Sequence, residues 1–299
     1  MALALAVEFD GVVINADSQQ IYRDIAVLSA QPSDQDKARA PHRLYAAIDA
    51  GDNCSVGRWR ALALAEIDAA RAGGKLPILT GGTGLYFEAL LKGLAEIPPI
   101  PEAVRAEAQA LHAQLGGAAF RAKLAEIDPE TAARLPDGDT QRLTRAYEVA
   151  LATGKSLTAW HREQVPAAVS TAAAVVLLPP RDAIYAACDV RVTQMIEHGA
   201  EFEVRSLLAQ GLPPDLPAMK AVGVREIGAW LAGSCSKDEA IAAMQQTTRR
   251  YAKRQYTWFR LRLEESISLR RDTIETQFSE SLLPKVFSFI RQFQLTTRP

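Results

Sequence analysis

Two short apolar runs constrain the fold of this chain more than any other feature. Gly11-Val-Val-Ile-Asn-Ala16 and Leu76-Pro-Ile-Leu-Thr80 are each followed by turn-forming residues, Asp17-Ser18 after the first and Gly81-Gly-Thr-Gly84 after the second. Continuous runs of this length read as strands buried on both faces. Around them lie stretches of helical composition at 1–7, 61–72 and 85–94, with Gly73-Gly74 as a stop after the second. Helix, strand, helix, strand, helix is the alternation of a parallel α/β sheet, because parallel strands need a crossover and helices supply it. Residues 172–178 resume as a strand before Pro179-Pro180, and the rest reads as helical around a loop at 211–217.

From Ile97-Pro-Pro-Ile-Pro101 the pattern changes. Residues 102–115, 118–126, 129–135 and 140–153 are helical in composition with no strand run between them. Asp128 and Pro129 make a cap and first-position pair, and Gly154 a stop. The expected organisation is an α/β core over 1–100 and 166–299, including the C-terminal helices, and a helical insertion over 101–165. A length of 299 residues suits such a core with a smaller second unit.

Lys and Arg total 34 against 35 Asp and Glu, a net charge of −1, which excludes a wholesale polycation. Any nucleic-acid surface must then come from local segregation of charge. No apolar run approaches the roughly 18 residues of a membrane span, and residues 1–7 lack the basic start of a secretory signal, so no membrane partner and a cytoplasmic address are expected. Cys54, Cys188 and Cys235 are too scattered for a disulfide framework, and no histidine has a neighbour at metal-ligand spacing. The opening residues carry no capping side chain, an unusual start for a helix.

Asp17 directly follows a strand, which places it at the carboxyl edge of a parallel sheet, where ligands bind. It can serve as a general base, or simply cap the turn. Gly81-Gly-Thr-Gly84, between a strand and a helix, can bring backbone N–H groups close to a phosphate with the Thr83 hydroxyl as a further donor, or its glycines can serve turn geometry alone. Residues 219–262 hold nine Lys or Arg against three acids. Within that segment Arg249, Arg250, Lys253, Arg254 and Arg260 fall on one side of a helix, and a face without acids suits a polyanion. Arg142 and Arg145 share a helical face, as do Arg191 and Met195. Gly154-Lys155-Ser156 ends a helix and has Val149 where a phosphate loop would start with glycine, so it is a decoy.

Taken together, Asp17-Ser-Gln-Gln-Ile-Tyr-Arg, Pro41-His-Arg-Leu-Tyr45, Gly81-Gly-Thr-Gly-Leu-Tyr-Phe87, Gln141-Arg-Leu-Thr-Arg-Ala146, Lys220-Ala-Val-Gly-Val-Arg-Glu226 and Lys253-Arg-Gln-Tyr-Thr-Trp-Phe-Arg260 resemble the ordered motifs of the bacterial tRNA dimethylallyltransferases, or isopentenyltransferases. The resemblance runs from residue 1 to about 270. It implies a P-loop-NTPase-like parallel sheet flanked by helices with an inserted all-helical subdomain. It also implies transfer of a dimethylallyl group from its pyrophosphate to N6 of the adenosine 3′ of the anticodon, with Mg²⁺ assisting. The partners implied are dimethylallyl pyrophosphate and the anticodon stem-loop of tRNA, and the enzyme is expected to be a monomer.

By the same resemblance Asp17 is the base, Thr83 stabilises the departing pyrophosphate and Arg191 adds charge to it, with Gly81 and Gly82 at the same group. The implied tRNA contacts are Asp17, Ser18, Gln19, Gln20, Thr83 and Arg105, with Gln141, Arg142, Leu143, Thr144 and Arg145 in the insertion. Lys220, Ala221, Val222, Gly223, Val224 and Arg225 follow, then Lys253, Arg254, Gln255, Tyr256, Thr257, Trp258, Phe259 and Arg260. Many relatives carry Tyr where this chain has Val224. The family opens with a strand and a Gly-Pro-Thr-x-x-Gly-Lys-[Ser/Thr] phosphate loop, and this sequence starts just after that loop, so greatly reduced transfer by the chain as written is expected. The other readings are an isopentenyltransferase on free adenine nucleotides, a phosphate-loop kinase and a non-catalytic tRNA-binding protein.

Overall fold

The computed structural model describes residues 1–163, 167, 169, 171–263 and 269–297. These form two compact units, one of Met1–Leu91 with Val169–Pro299 and one of Lys92–Ala168. The expected boundary at 165 and 166 lies outside the described residues.

In the first unit, α1 (Ala2–Glu8) starts without a side-chain cap and leads into β1 (Gly11–Asn15), every residue of which is buried. Full burial of an aliphatic side chain such as Val13 or Ile14 contributes about 1.5–3 kcal/mol, so this continuous run can only be a central strand. It is: after α2 (Asp34–Arg39) the chain enters β2 (His42–Arg43), and β1 lies between β2 and β3 (Leu76–Thr80), parallel to both, with Val13 opposite Ile78 and Ile14 opposite Leu79. The crossover helix α3 (Val56–Ala72) is capped by Ser55, whose hydroxyl accepts from Arg58 N–H, and buries Trp59, Ala63, Ile67 and Ala70. That spacing of four, four and three places one stripe against the sheet. After β3, the loop 81–83 enters α4 (Gly84–Leu91).

The unit continues through β4 (Ala172–Leu177), α9 (Arg181–Glu197), α10 (Ala200–Ala209), α11 (Val224–Leu231), α12 (Lys237–Arg262), β5 (Leu269–Ile274) and α13 (Leu283–Thr297). The strand β5 corrects the reading of this region as helical. Its sequence, Leu-Arg-Arg-Asp-Thr-Ile, buries only its two ends, and its charged middle hides the apolar pattern that marks a strand. It pairs in parallel with β4 from Ala172–Leu269 to Leu177–Ile274, forming a second sheet of two strands. Among the described residues β3 and β4 each have one strand neighbour, and they line the same cavity of about 1150 Å³, with Leu5 of α1, Phe9 just after it, and Tyr256 and Phe259 of α12.

The second unit is all helical among its described residues: α5 (Glu102–Ala125), α6 (Pro129–Arg134), α7 (Thr140–Thr153) and α8 (Leu157–Arg162). The stretches expected at 102–115 and 118–126 join into α5 across a kink at Gly116, whose φ of 72° suits a residue without a side chain. Its core holds Ala108, Phe120, Leu124, Leu143 and Ala146. Asp128 caps α6 through Thr131 N–H and receives Leu157 N–H with its other oxygen, tying α6 to the start of α8.

Candidate active site

The turn after β1 is built on Asn15, which has no exposed surface. Its Oδ1 accepts from Asp17 N–H at 2.8 Å, and its Nδ2 donates to the Asp17 and Leu44 carbonyls at 3.0 Å each. Trp59 Nε1–H donates to the Asn15 carbonyl at 2.9 Å and stacks on Tyr86 with centroids 4.0 Å apart. Asp17 therefore leaves the strand end in a fixed direction. Its Oδ1 accepts from Gln19 N–H at 2.8 Å and Gln20 N–H at 3.3 Å. Its Oδ2 has no hydrogen bond among the described residues, so one oxygen caps the turn and the other is available to a ligand. Gln20 turns inward and donates to the Ser29 and Ala30 carbonyls at 2.9 Å.

The loop after β3 meets this turn. Thr83 N–H donates to the Ala16 carbonyl at 3.2 Å. Ser18 N–H donates to Thr83 Oγ1 at 2.9 Å, and that hydroxyl donates to Ser18 Oγ at 3.2 Å. A Cβ at Gly81 would overlap the Ala16 carbonyl, one at Gly82 the Gln255 amide and one at Gly84 the Trp258 indole. These glycines thus let two backbones and a helix approach, a requirement the structure meets without reference to phosphate.

α12 closes the site. Gln255 and Trp258 face the loop, and Phe259 meets Phe87 edge-on at 5.8 Å. Burial, reinforced by the Asp17 carboxylate, raises the Tyr251 phenol pKa. Burial likewise raises the phenols of Tyr45 and Tyr86, and Asp17 again pushes the same way. On the outer side, Arg250, Lys253, Arg254 and Arg260 are exposed. Arg249 departs from that set, because it is paired with Asp189 of α9. Tyr256 lies under Arg181 with 5.7 Å to the ring centroid, and the Thr257 hydroxyl donates to the Lys253 carbonyl.

Other expected residues sit elsewhere. Arg191 is exposed on α9, where its charge acts on the neighbouring Cys188 thiol; no described contact joins it to Thr83 or Gly81. Lys220 and Arg225 are exposed, whereas Ala221, Gly223 and Val224 between them are buried and Val222 packs on the main core. Gly223 has φ 100° and starts α11, a backbone role. In the second unit Gln141 and Arg142 are exposed, Leu143 and Thr144 buried, Arg145 pairs with Glu148 and Arg105 with Glu102. Asn15 and Tyr251 were missed by sequence reasoning; the signal for Tyr251 was its position four and seven residues before Gln255 and Trp258.

A strand-end carboxylate and a glycine–threonine loop side by side on a parallel sheet, beneath a basic helix, define a P-loop-NTPase-like α/β protein with its ligand edge at Asp17 and Thr83. The fold agrees with that of a eukaryotic dimethylallyltransferase solved acting on tRNA (TM-score 0.80, 22% identity, covering 100% of this chain and 76% of that one). The tRNA isopentenylpyrophosphate transferase of Bacillus halodurans matches with TM-score 0.66 at 29% identity, over 97% of this chain and 90% of that one. The sequence model of the IPP transferase family matches residues 20–262. The tRNA dimethylallyltransferases of Rhodospirillum rubrum and Paramagnetospirillum magneticum are each 50% identical over 99% of this chain, and it covers 91% and 93% of their lengths. The chain belongs to the IPP transferase family.

Proposed function

We propose that this protein is a tRNA dimethylallyltransferase, which moves a dimethylallyl group from its pyrophosphate to N6 of the adenosine 3′ of the anticodon and releases pyrophosphate. The observation that carries the reading is the junction of Asp17, Ser18 and Thr83 beneath α12, in a chain half identical to enzymes of that name. An exocyclic amine has its lone pair delocalised into the ring, so a carboxylate that takes its proton as the C–N bond forms lowers the barrier. The free Oδ2 of Asp17 suits that task. As the C–O bond breaks, its electron pair passes to the bridging oxygen of pyrophosphate, and the Thr83 hydroxyl is the proposed donor to that group, its proton turning from Ser18 Oγ. Arg191 is the proposed further charge, and Gly81 and Gly82 the proposed backbone contacts.

The target base must leave its stack to reach Asp17, so much of the surface is proposed to grip RNA: Lys253, Arg254 and Arg260 of α12, Lys220 and Arg225, and in the helical unit Arg105, Gln141, Arg142 and Arg145, with the buried Leu143 and Thr144 holding that helix. Asp17, Ser18 and Thr83 are hard oxygen donors, which suit Mg²⁺, an ion that takes one or two carboxylates with waters and substrate phosphates. When bound it would neutralise charge on pyrophosphate. Among the described residues no helix is long and apolar enough to cross a membrane, and a cytoplasmic monomer is the form proposed.

The test uses labelled dimethylallyl pyrophosphate with enzyme in excess, so that slow transfer still registers, and offers an anticodon stem-loop against adenine nucleotide. Label on the stem-loop is expected. Label on the nucleotide would favour the free-nucleotide enzyme, and salt-sensitive tRNA binding without product would mark a binding protein.

A further inference from the structure

Asn15 ends β1, and although its side chain is polar it has no exposed surface. A carboxamide offers one oxygen and two N–H donors. All three are engaged: Oδ1 accepts from Asp17 N–H at 2.8 Å, and Nδ2 donates to the Asp17 and Leu44 carbonyls at 3.0 Å each. The two carbonyls fix which end of the amide faces the Asp17 N–H, because the reverse orientation would set its oxygen against both of them. Leu44, just past β2, brings its carbonyl there from left-handed backbone, with φ 62°, and Ala46 has φ 50°. Such backbone at residues with side chains persists only where its surroundings hold it. The Asn15 amide is one such tie, and Ala46 N–H on the Gln20 carbonyl at 3.1 Å is another. One buried amide thus joins the end of β1, the Asp17 turn and the strained segment 44–46.

We propose that Asn15 is a positioning residue: it holds Asp17 so that Oδ1 stays on the Gln19 and Gln20 N–H groups and Oδ2 is left for the amine proton, and the Leu44 carbonyl locks the amide in the orientation that does so. The inference rests on the role proposed for Asp17.

Two variants of the full chain test it. Asn15→Ala removes all three bonds, whereas Asn15→Ser keeps an oxygen that can accept from the N–H two residues on but loses the tie to Leu44. With Asn15→Ala the single-turnover rate of transfer is expected to fall about 10²-fold, the scale of a displacement of about 1 Å at a reacting group. With Asn15→Ser it falls about three- to tenfold, the effect of one lost hydrogen bond, so this variant carries the test if the alanine one does not fold. Affinity for tRNA stays as in the parent, and in an Asp17→Asn background neither substitution slows transfer further. Amide hydrogen exchange reads the same positioning without turnover. The Gln19 and Gln20 N–H groups bond to Asp17 and not to Asn15, so their protection should drop at least about threefold in either variant. Unchanged protection at both, a parent-like rate in either variant, an equal loss of rate in the Asp17→Asn background, or a parallel loss of tRNA affinity would each overturn the proposal. A parent chain that makes no product would sink the proposed function, while the exchange comparison still decides the role of Asn15.

Discussion

Asp17 gives one carboxylate oxygen to the turn, while the other has no hydrogen bond among the described residues, and that division predicts how it responds to change. Asp17→Asn keeps a carbonyl oxygen for the Gln19 and Gln20 N–H groups and removes the base, so transfer should fall by about 10²–10⁴-fold with tRNA binding retained; loss of binding in step with rate would point to a collapsed turn instead. Glu203 of α10 offers a stability test. Its two oxygens accept from Val27 and Leu28 N–H at 2.9 and 2.8 Å. Burial raises its pKa above the ordinary 4.5, against the opposing pull of those N–H groups. The folded state then holds the proton more tightly than the unfolded one, so this group's contribution to stability falls as pH rises from 4.5 through the folded pKa. Glu203→Gln removes that slope, and in urea melts its stability relative to the parent should improve from pH 4.5 towards 7. A constant difference across that range would contradict the assignment. Asp17 was legible in the sequence because a buried strand ending in a polar turn is a strong pattern. Asn15 and Tyr251 were not, because the first reads as the tail of a strand and the second as one more residue of a basic helix.

At the scale of elements, the two loops and α12 are held together by missing side chains as much as by present ones. Gly81→Ala places a methyl group against the Ala16 carbonyl, a backbone atom that cannot swing aside. Overpacking of this kind costs about 1–3 kcal/mol, to be read as a lowered denaturation midpoint, with transfer impaired beyond the stability loss because the Ser18–Thr83 junction shifts. A fully active, equally stable variant would show that the loop has slack. The outer face of α12 makes a separate prediction. Charge reversal at Lys253 or Arg254 should weaken tRNA binding and reduce its salt dependence, by about one phosphate contact each. Arg249→Ala should do so much less, because Asp189 already neutralises that side chain; equal effects at all three positions would contradict the face as drawn. Helical periodicity revealed the stripe but not this pairing, since the partner lies on another helix. For a similar reason β5 escaped notice: its charged centre obscures the strand, and only pairing with β4 makes it one.

Across the whole molecule, the parallel core and the helical unit followed from where strand-like runs occur and where they stop. The division into two sheets was not legible, because strand composition does not specify neighbours. The cavity between β3 and β4 exposes apolar lining, so the 299-residue chain should bind a dye such as ANS while folded, and a native protein that leaves the dye dark would contradict an open cavity. The most direct test of the central claim is mass spectrometry of nucleosides and anticodon-loop fragments after tRNA and dimethylallyl pyrophosphate are incubated with excess enzyme. The account predicts one dimethylallyl group on the adenosine 3′ of the anticodon with the parent chain, formed at least about a hundredfold more slowly with Asp17→Asn at equal tRNA occupancy; an unmodified adenosine under the parent chain, or the same rate from both proteins, would contradict it.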